Sequence, residues 1–123
     1  MKLSELSTDE ALDVMCMMTP HIMAICTDEE LEKEIREKIK ADENSSRAEL
    51  MLVAIDKINR IIPVVLKKHR ANVYSILSAL NGKNVEDIAK QNIIKTMEQI
   101  REVVKDKDLM SFFKSCAASE SSE

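Results

Sequence analysis

One glycine, Gly82, and two prolines, Pro20 and Pro63, are the whole supply of those residues in a chain of 123. So few turn formers cannot make the repeated reversals of a β-sandwich or barrel, which need residues that adopt positive φ or fix a turn. Nor can they form the glycine-rich loop that cradles phosphate in nucleotide-binding folds. Hydrophobic residues make up 45% of the chain, enough to bury a core. The sequence therefore predicts an all-α protein, a single-domain bundle of about six or seven short helices. The domain is expected over 1–116, with the small, polar 117–123 as a disordered tail.

Three Ser/Thr-x-x-Glu boxes, at Ser7, Thr27 and Ser46, mark helix starts. In each, the first and fourth residues satisfy backbone N–H groups that the helix leaves free. The first box predicts a helix over 8–18. Thr19-Pro20 then starts a short helix over 20–26, joined by a kink, because proline disfavours helical geometry in the residue before it. The second box predicts a solvated helix over 28–39, with Leu31, Ile35 and Ile39 on a narrow apolar stripe. The polar stretch 40–45 reads as a loop.

The third box opens a helix carrying Ala54, Ile55, Ile58, Ile61, Ile62 and Val65 at helical spacing. A bend or break is expected near Ile62, ahead of Pro63. Leu50, Leu52 and Val53 make its first turns apolar on several sides, which predicts a central place in the bundle. Val73, Ile76, Leu77 and Leu80 continue one face up to Asn81-Gly82, a strong helix stop. Asn84 caps a short helix with Val85 and Ile88, and a break near Asn92 precedes the face of Ile93, Ile94, Met97, Ile100 and Val104. A last helix over 106–116 carries Leu109, Phe112 and Phe113.

The ionisable groups offer little chemistry. His21 and His69 are the only histidines, and neither has the glutamate spacing of a di-iron bundle. His21 reads as structural or exposed, and His69, among Lys67, Lys68 and Arg70, as exposed. Cys16, Cys26 and Cys116 form no CxxC pair and leave an odd count, which points to free thiols in a reducing compartment. Cys16 has apolar neighbours and reads as a core thiol. No catalytic residue, metal or cofactor is expected. The net charge of −4 gives no general attraction to nucleic acid. The basic group Lys57, Arg60, Lys67, Lys68 and Arg70 lacks interleaved aromatics to stack on bases. The N-terminus has no apolar run behind Lys2, and no apolar window approaches the ~20 residues of a membrane span. A cytoplasmic location without membrane contact is the expectation.

Functional content concentrates in the methionine-rich front. Of eight methionines, Met15, Met17, Met18 and Met23 crowd the first helices beside Val14. Around a helix, Ala11, Met15, Met18, Ile22 and Ile25 share one side, while Val14 and Met17 widen the apolar arc. Unbranched, polarizable methionine suits surfaces that adapt to different apolar partners. It equally fills gaps in a core that has only Tyr74, Phe112 and Phe113 as aromatics. Val14, Met15, Met17, Met18 and Met23 are therefore the candidate partner-binding residues, with a core role as the alternative.

The opening Met1-Lys-Leu-Ser-Glu-Leu-Ser-Thr-Asp-Glu-Ala-Leu-Asp-Val14, followed by a methionine-rich helix and Thr19-Pro20, resembles small prophage-encoded proteins of Gram-positive bacteria. Val73-Tyr-Ser-Ile-Leu-Ser-Ala-Leu-Asn81, Val85-Glu-Asp-Ile-Ala-Lys-Gln-Asn92 and Phe112-Phe-Lys-Ser-Cys116 extend the likeness over most of the chain. Together they look like the tail assembly chaperones of long-tailed phages. That resemblance implies an all-helical, non-catalytic protein of the host cytoplasm, absent from the finished virion. Its implied partners are the tape measure protein, which such chaperones coat, and the tail tube protein, which they help recruit. Self-association is also expected, because a coat on a long client needs copies that line up. Two other readings stay open: a different helical adaptor, such as a head–tail connector component, and a small nucleic-acid-binding regulator.

Overall fold

The computed structural model describes residues 5–121, with the backbone alone for 47, 48 and 116–121. Among the described residues there are seven helices and no strand. In chain order they are α1 (Thr8–Cys26), α2 (Glu29–Ile39), α3 (Arg47–Asp56), α4 (Ile58–Asn81), α5 (Val85–Lys90), α6 (Ile93–Lys105) and α7 (Lys107–Ser121). The all-α, single-domain bundle expected from the sequence is what the chain forms.

Capping chemistry places most of the starts. Ser7 and Glu10 form the reciprocal box, each side chain bonding the other's backbone N–H at 3.2 Å. Ser46 Oγ accepts from the Glu49 N–H at 3.1 Å, and Asn84 Oδ1 from the Asp87 N–H at 3.0 Å. The second box differs. Asp28, not Thr27, caps α2, accepting from the Leu31 N–H at 3.1 Å. The Thr27 hydroxyl instead donates to the Met23 carbonyl at 2.7 Å and closes the end of α1.

Neither proline sets a helix boundary. α1 runs unbroken through Pro20, so the two helices expected over 8–18 and 20–26 are one. The Thr19 hydroxyl donates to the Met15 carbonyl at 2.7 Å. Pro20 deprives the Cys16 carbonyl of its N–H partner, but both residues are exposed, and water can take that place. Pro63 lies likewise on an exposed part of α4. The break expected near Ile62 falls at Lys57, which ends α3 and precedes α4. Inside α4 the departure from helical geometry is at His69, with φ −124° and ψ 31°. At the far end α7 continues past Cys116 to Ser121, where Ala117 and Ala118 favour helix and no glycine or proline stops it. Part of the expected polar tail is thus helical, and residues 122 and 123 lie outside the described residues.

Burial divides between two clusters. Met18 and Ile22 of α1, Ile76 and Leu80 of α4 and Leu109 of α7 form one, with Phe112, Phe113 and Val103 against it. Ile39 of α2, Leu50 of α3 and Ile61 of α4 form the other, with Ile35, Ala54 and Val65. The central element is therefore α4, whose two halves serve different clusters on either side of His69. The helix expected at the centre, opened at Ser46 and carrying on to Val65, divides: its second part belongs to the central α4, whereas α3 lies at the side, with Leu50 buried but Leu52 49% exposed and Val53 exposed as well. With apolar groups all round, α3 has more greasy surface than its one buried side can hide.

Candidate functional site

Two places collect the residues with functional potential: a polar junction at the bend of α4, and an apolar cleft beside α3.

At the junction, His69 is half-buried rather than exposed, correcting the expectation from its basic neighbours. Its Nε2 lies 2.7 Å from Asp28 Oδ2 and its Nδ1 2.9 Å from Asn72 Oδ1. The Asn72 amide nitrogen in turn lies 3.1 Å from His21 Nδ1. One chain of hydrogen bonds thus ties α1, α2 and α4. Asp28 serves twice, with Oδ1 on the start of α2 and Oδ2 on His69. The hydrogen bond with His69, then that from the Leu31 N–H, hold the Asp28 carboxyl below its ordinary value of 3.8. An Asp–His pair can do acid–base work, but here both ring nitrogens are engaged within the protein. Neither is left to exchange a proton with a substrate. The junction is an anchor.

Lys68, next in the chain, reaches α2 and lies 3.3 Å from both Glu30 and Glu34. This lysine of the basic group is thereby paired, and only part of the group faces solvent unopposed. Arg36 pins the loop after α2, donating to the Asp42 carbonyl and to Ser45 at 2.8–3.1 Å.

The cleft is apolar throughout its main chamber, of about 190 Å³, between α3 and the bodies of α4, α6 and α7. Met51, Ile55, Val73, Val104, Met110 and Phe113 are among its walls. A second chamber of about 140 Å³ opens toward α2 and shares Ile25, Met51 and Ala54 with the first. The cleft therefore runs between the two core clusters. A larger recess of about 390 Å³ beside Leu80, Gln99 and Glu102 is partly polar. The Asp106 carboxylate at its edge accepts from the Asp108 and Leu109 N–H groups at the start of α7, and no histidine or cysteine lines it.

The five candidate partner-binding residues separate. Met18 is 0% exposed and belongs to the core, so it is removed from any contact surface. Val14 and Met15 are half-buried against the same cluster, and Met23 is half-buried. Met17 is 58% exposed. Cys16 is exposed too, against its reading as a core thiol: it falls on the opposite side of α1 from Met18 and Ile22. Cys26 is half-buried. Sequence patterning pointed to neither the cleft nor the junction. Apolar excess around α3 was the one available signal for the cleft.

Among the described residues, no group of three His, Cys, Asp or Glu side chains converges as a metal site, and no helix is long and apolar enough to cross a membrane. Compared with family models, curated proteins and solved structures, the chain finds no match.

Proposed function

We propose that the protein is a non-catalytic binding module that receives an apolar helical segment of another polypeptide in the cleft beside α3. The observation that carries this reading is the cleft's main chamber, which is apolar on every wall, beside a helix with further greasy surface outside. Such a lining offers no partner to the N–H and C=O groups of a guest. A chamber of about 190 Å³ takes a few apolar side chains and not backbone, so the guest lies along its mouth with its own N–H and C=O groups paired, as in a helix. Each Å² of apolar surface covered contributes about 25 cal/mol before the costs of association, so a repeated stripe can be held without a polar pocket.

The resemblance to tail assembly chaperones supplies the client: the tape measure protein, a long helical chain that needs cover until the tail tube protein assembles round it. On this reading the protein acts in the host cytoplasm and leaves before the virion is finished. Co-expression with fragments of a tape measure protein should give a complex, with cross-links mapping to Met51, Ile55 and Phe113. Ile55→Ser should weaken it about tenfold, the scale of one lost apolar anchor. Failure of every fragment to bind sinks the reading.

A further inference from the structure

The junction of α1, α2 and α4 holds two rings that can change charge near neutral pH, with a single amide between them. Asp28, His69, Asn72 and His21 are all half-buried. Around them α1 brings no lysine or arginine, and its carboxylates, Asp9, Glu10 and Asp13, lie two turns or more before His21. α2 and α4 bring Glu30, Glu34 and Lys68, which pair with one another, and Lys67 and Arg70, which are exposed. α7, also packed on α1, meets it through Leu109, Phe112 and Phe113. Among the described residues Asp28 is the one charged group bonded to either ring.

An ionised carboxylate only accepts, so His69 Nε2, against Asp28, carries a proton. The amide decides what Nδ1 of each ring does, because one of its ends accepts and the other donates. With the Asn72 oxygen toward His69, His69 Nδ1 must donate and that ring is charged. The amide N–H then donates to His21 Nδ1, which must be bare, so His21 is neutral. With the amide turned over, its N–H donates to a bare His69 Nδ1, and His69 is neutral. The oxygen now accepts from a protonated His21 Nδ1, and His21 is neutral or charged. The same heavy-atom distances serve both arrangements, since the amide oxygen and nitrogen only change places. With both rings charged, neither arrangement keeps every bond: two N–H donors face the amide and it has one acceptor.

We propose that the junction is a proton-counting latch: it accepts one extra proton, on His69 or on His21 as the Asn72 amide turns, and a second proton severs the chain of bonds between α1 and α2. The first proton costs no bond, because the neutral pair and the singly charged pair each have a complete arrangement. The second costs one of the two bonds that Asn72 makes. In an unfolded chain both rings charge freely near pH 6.5. Below that, the folded chain holds one proton fewer than the unfolded, and its stability falls as pH falls. Asp28, held below the ordinary carboxyl range, stays ionised through this window. Ile25 and Cys26 of α1 and Leu31 and Ile35 of α2 wall the second chamber, so the severed chain loosens that end of the cleft. The exclusion operates whatever the cleft binds.

Nitrogen NMR of the full chain, whose only imidazoles are these two, follows all four ring nitrogens from about pH 4 to 8. In the wild type both rings should report both steps of a coupled titration, the steps about one pH unit or more apart. At the alkaline end His69 should carry its proton on Nε2 and His21 on Nδ1. Asn72→Asp sets an acceptor against each ring and should close the gap between the steps. His21→Ala leaves the amide free to turn and should reduce His69 to one step. Amide exchange over residues 21–31, corrected for its intrinsic pH dependence, should quicken with the second step in the wild type and not in Asn72→Asp. Helical circular dichroism checks that each variant is folded; if Asn72→Asp is not, His21→Ala carries the comparison. Wild-type rings that titrate independently overturn the proposal. So does a His69 curve that His21→Ala leaves unchanged, or a folded Asn72→Asp that keeps the steps apart.

Discussion

Asp28 does more than any other single side chain, because one carboxylate starts α2 and holds the bend of α4. Its pKa is depressed, so its contribution to stability is present above the ordinary value of 3.8 and is lost as pH falls through the lower folded value. Denaturant melts between pH 2 and 7, on the order of one titration range, should show Asp28→Asn flattening the acid limb relative to wild type. At neutral pH the same change should cost about 1 kcal/mol, since asparagine still caps but loses the charge-assisted bond to His69. Two backbone positions form a contrasting pair. Gly82 and Lys40 both adopt the left-handed conformation, with φ 63° and 54°. A Cβ on Gly82 would meet nothing within 4 Å, so Gly82→Ala should cost about 1 kcal/mol through backbone strain alone. Lys40→Gly should stabilise by a few tenths to about 1 kcal/mol, the strain relieved less the added freedom of the unfolded chain. Thermal or urea midpoints read both. Adjacent Met17 and Met18 make a third test: Met18→Ala should cost about 2–5 kcal/mol, and Met17→Ala less than about 0.5.

Among the elements, α4 is the axis and α3 the loose member. α4 carries Ile61 into one core cluster and Ile76 and Leu80 into the other, and His69 stands where its helical geometry lapses. There the His69 ring bonds Asp28 at the start of α2 and Asn72 three residues on along α4. Asn72→Ala, which removes one hydrogen-bond partner from each histidine, should cost about 1–3 kcal/mol. α3 is anchored by Leu50 in one cluster, and Leu52 and Val53 face outward. Its amides should therefore exchange with solvent faster than those in the 76–80 stretch of α4, through local opening rather than global unfolding. Bound client should slow that exchange selectively. Equal protection of α3 and α4 in the free chain would contradict the view of α3 as the yielding wall.

The molecule as a whole is two small cores around one long bent helix, with the apolar cleft between them. A single tight core would have left no such channel. Sequence alone determined the helical class, the capped starts at Ser7, Ser46 and Asn84, the stop at Gly82, the stripe of Leu31, Ile35 and Ile39, and the inward side of α1. These depend on hydrogen bonds and periodicities within a few neighbouring residues, which the order of residues displays directly. The tertiary structure decided that α1 and α4 run through their prolines, that His69 turns inward, that Cys16 and Met17 face out, and that α3 is peripheral. Each depends on partners distant in the chain, as when Asp28 reaches His69, or on whether a carbonyl stripped of its N–H faces water or protein. Local patterning carries no record of such distant pairings, so only the packed chain settles them.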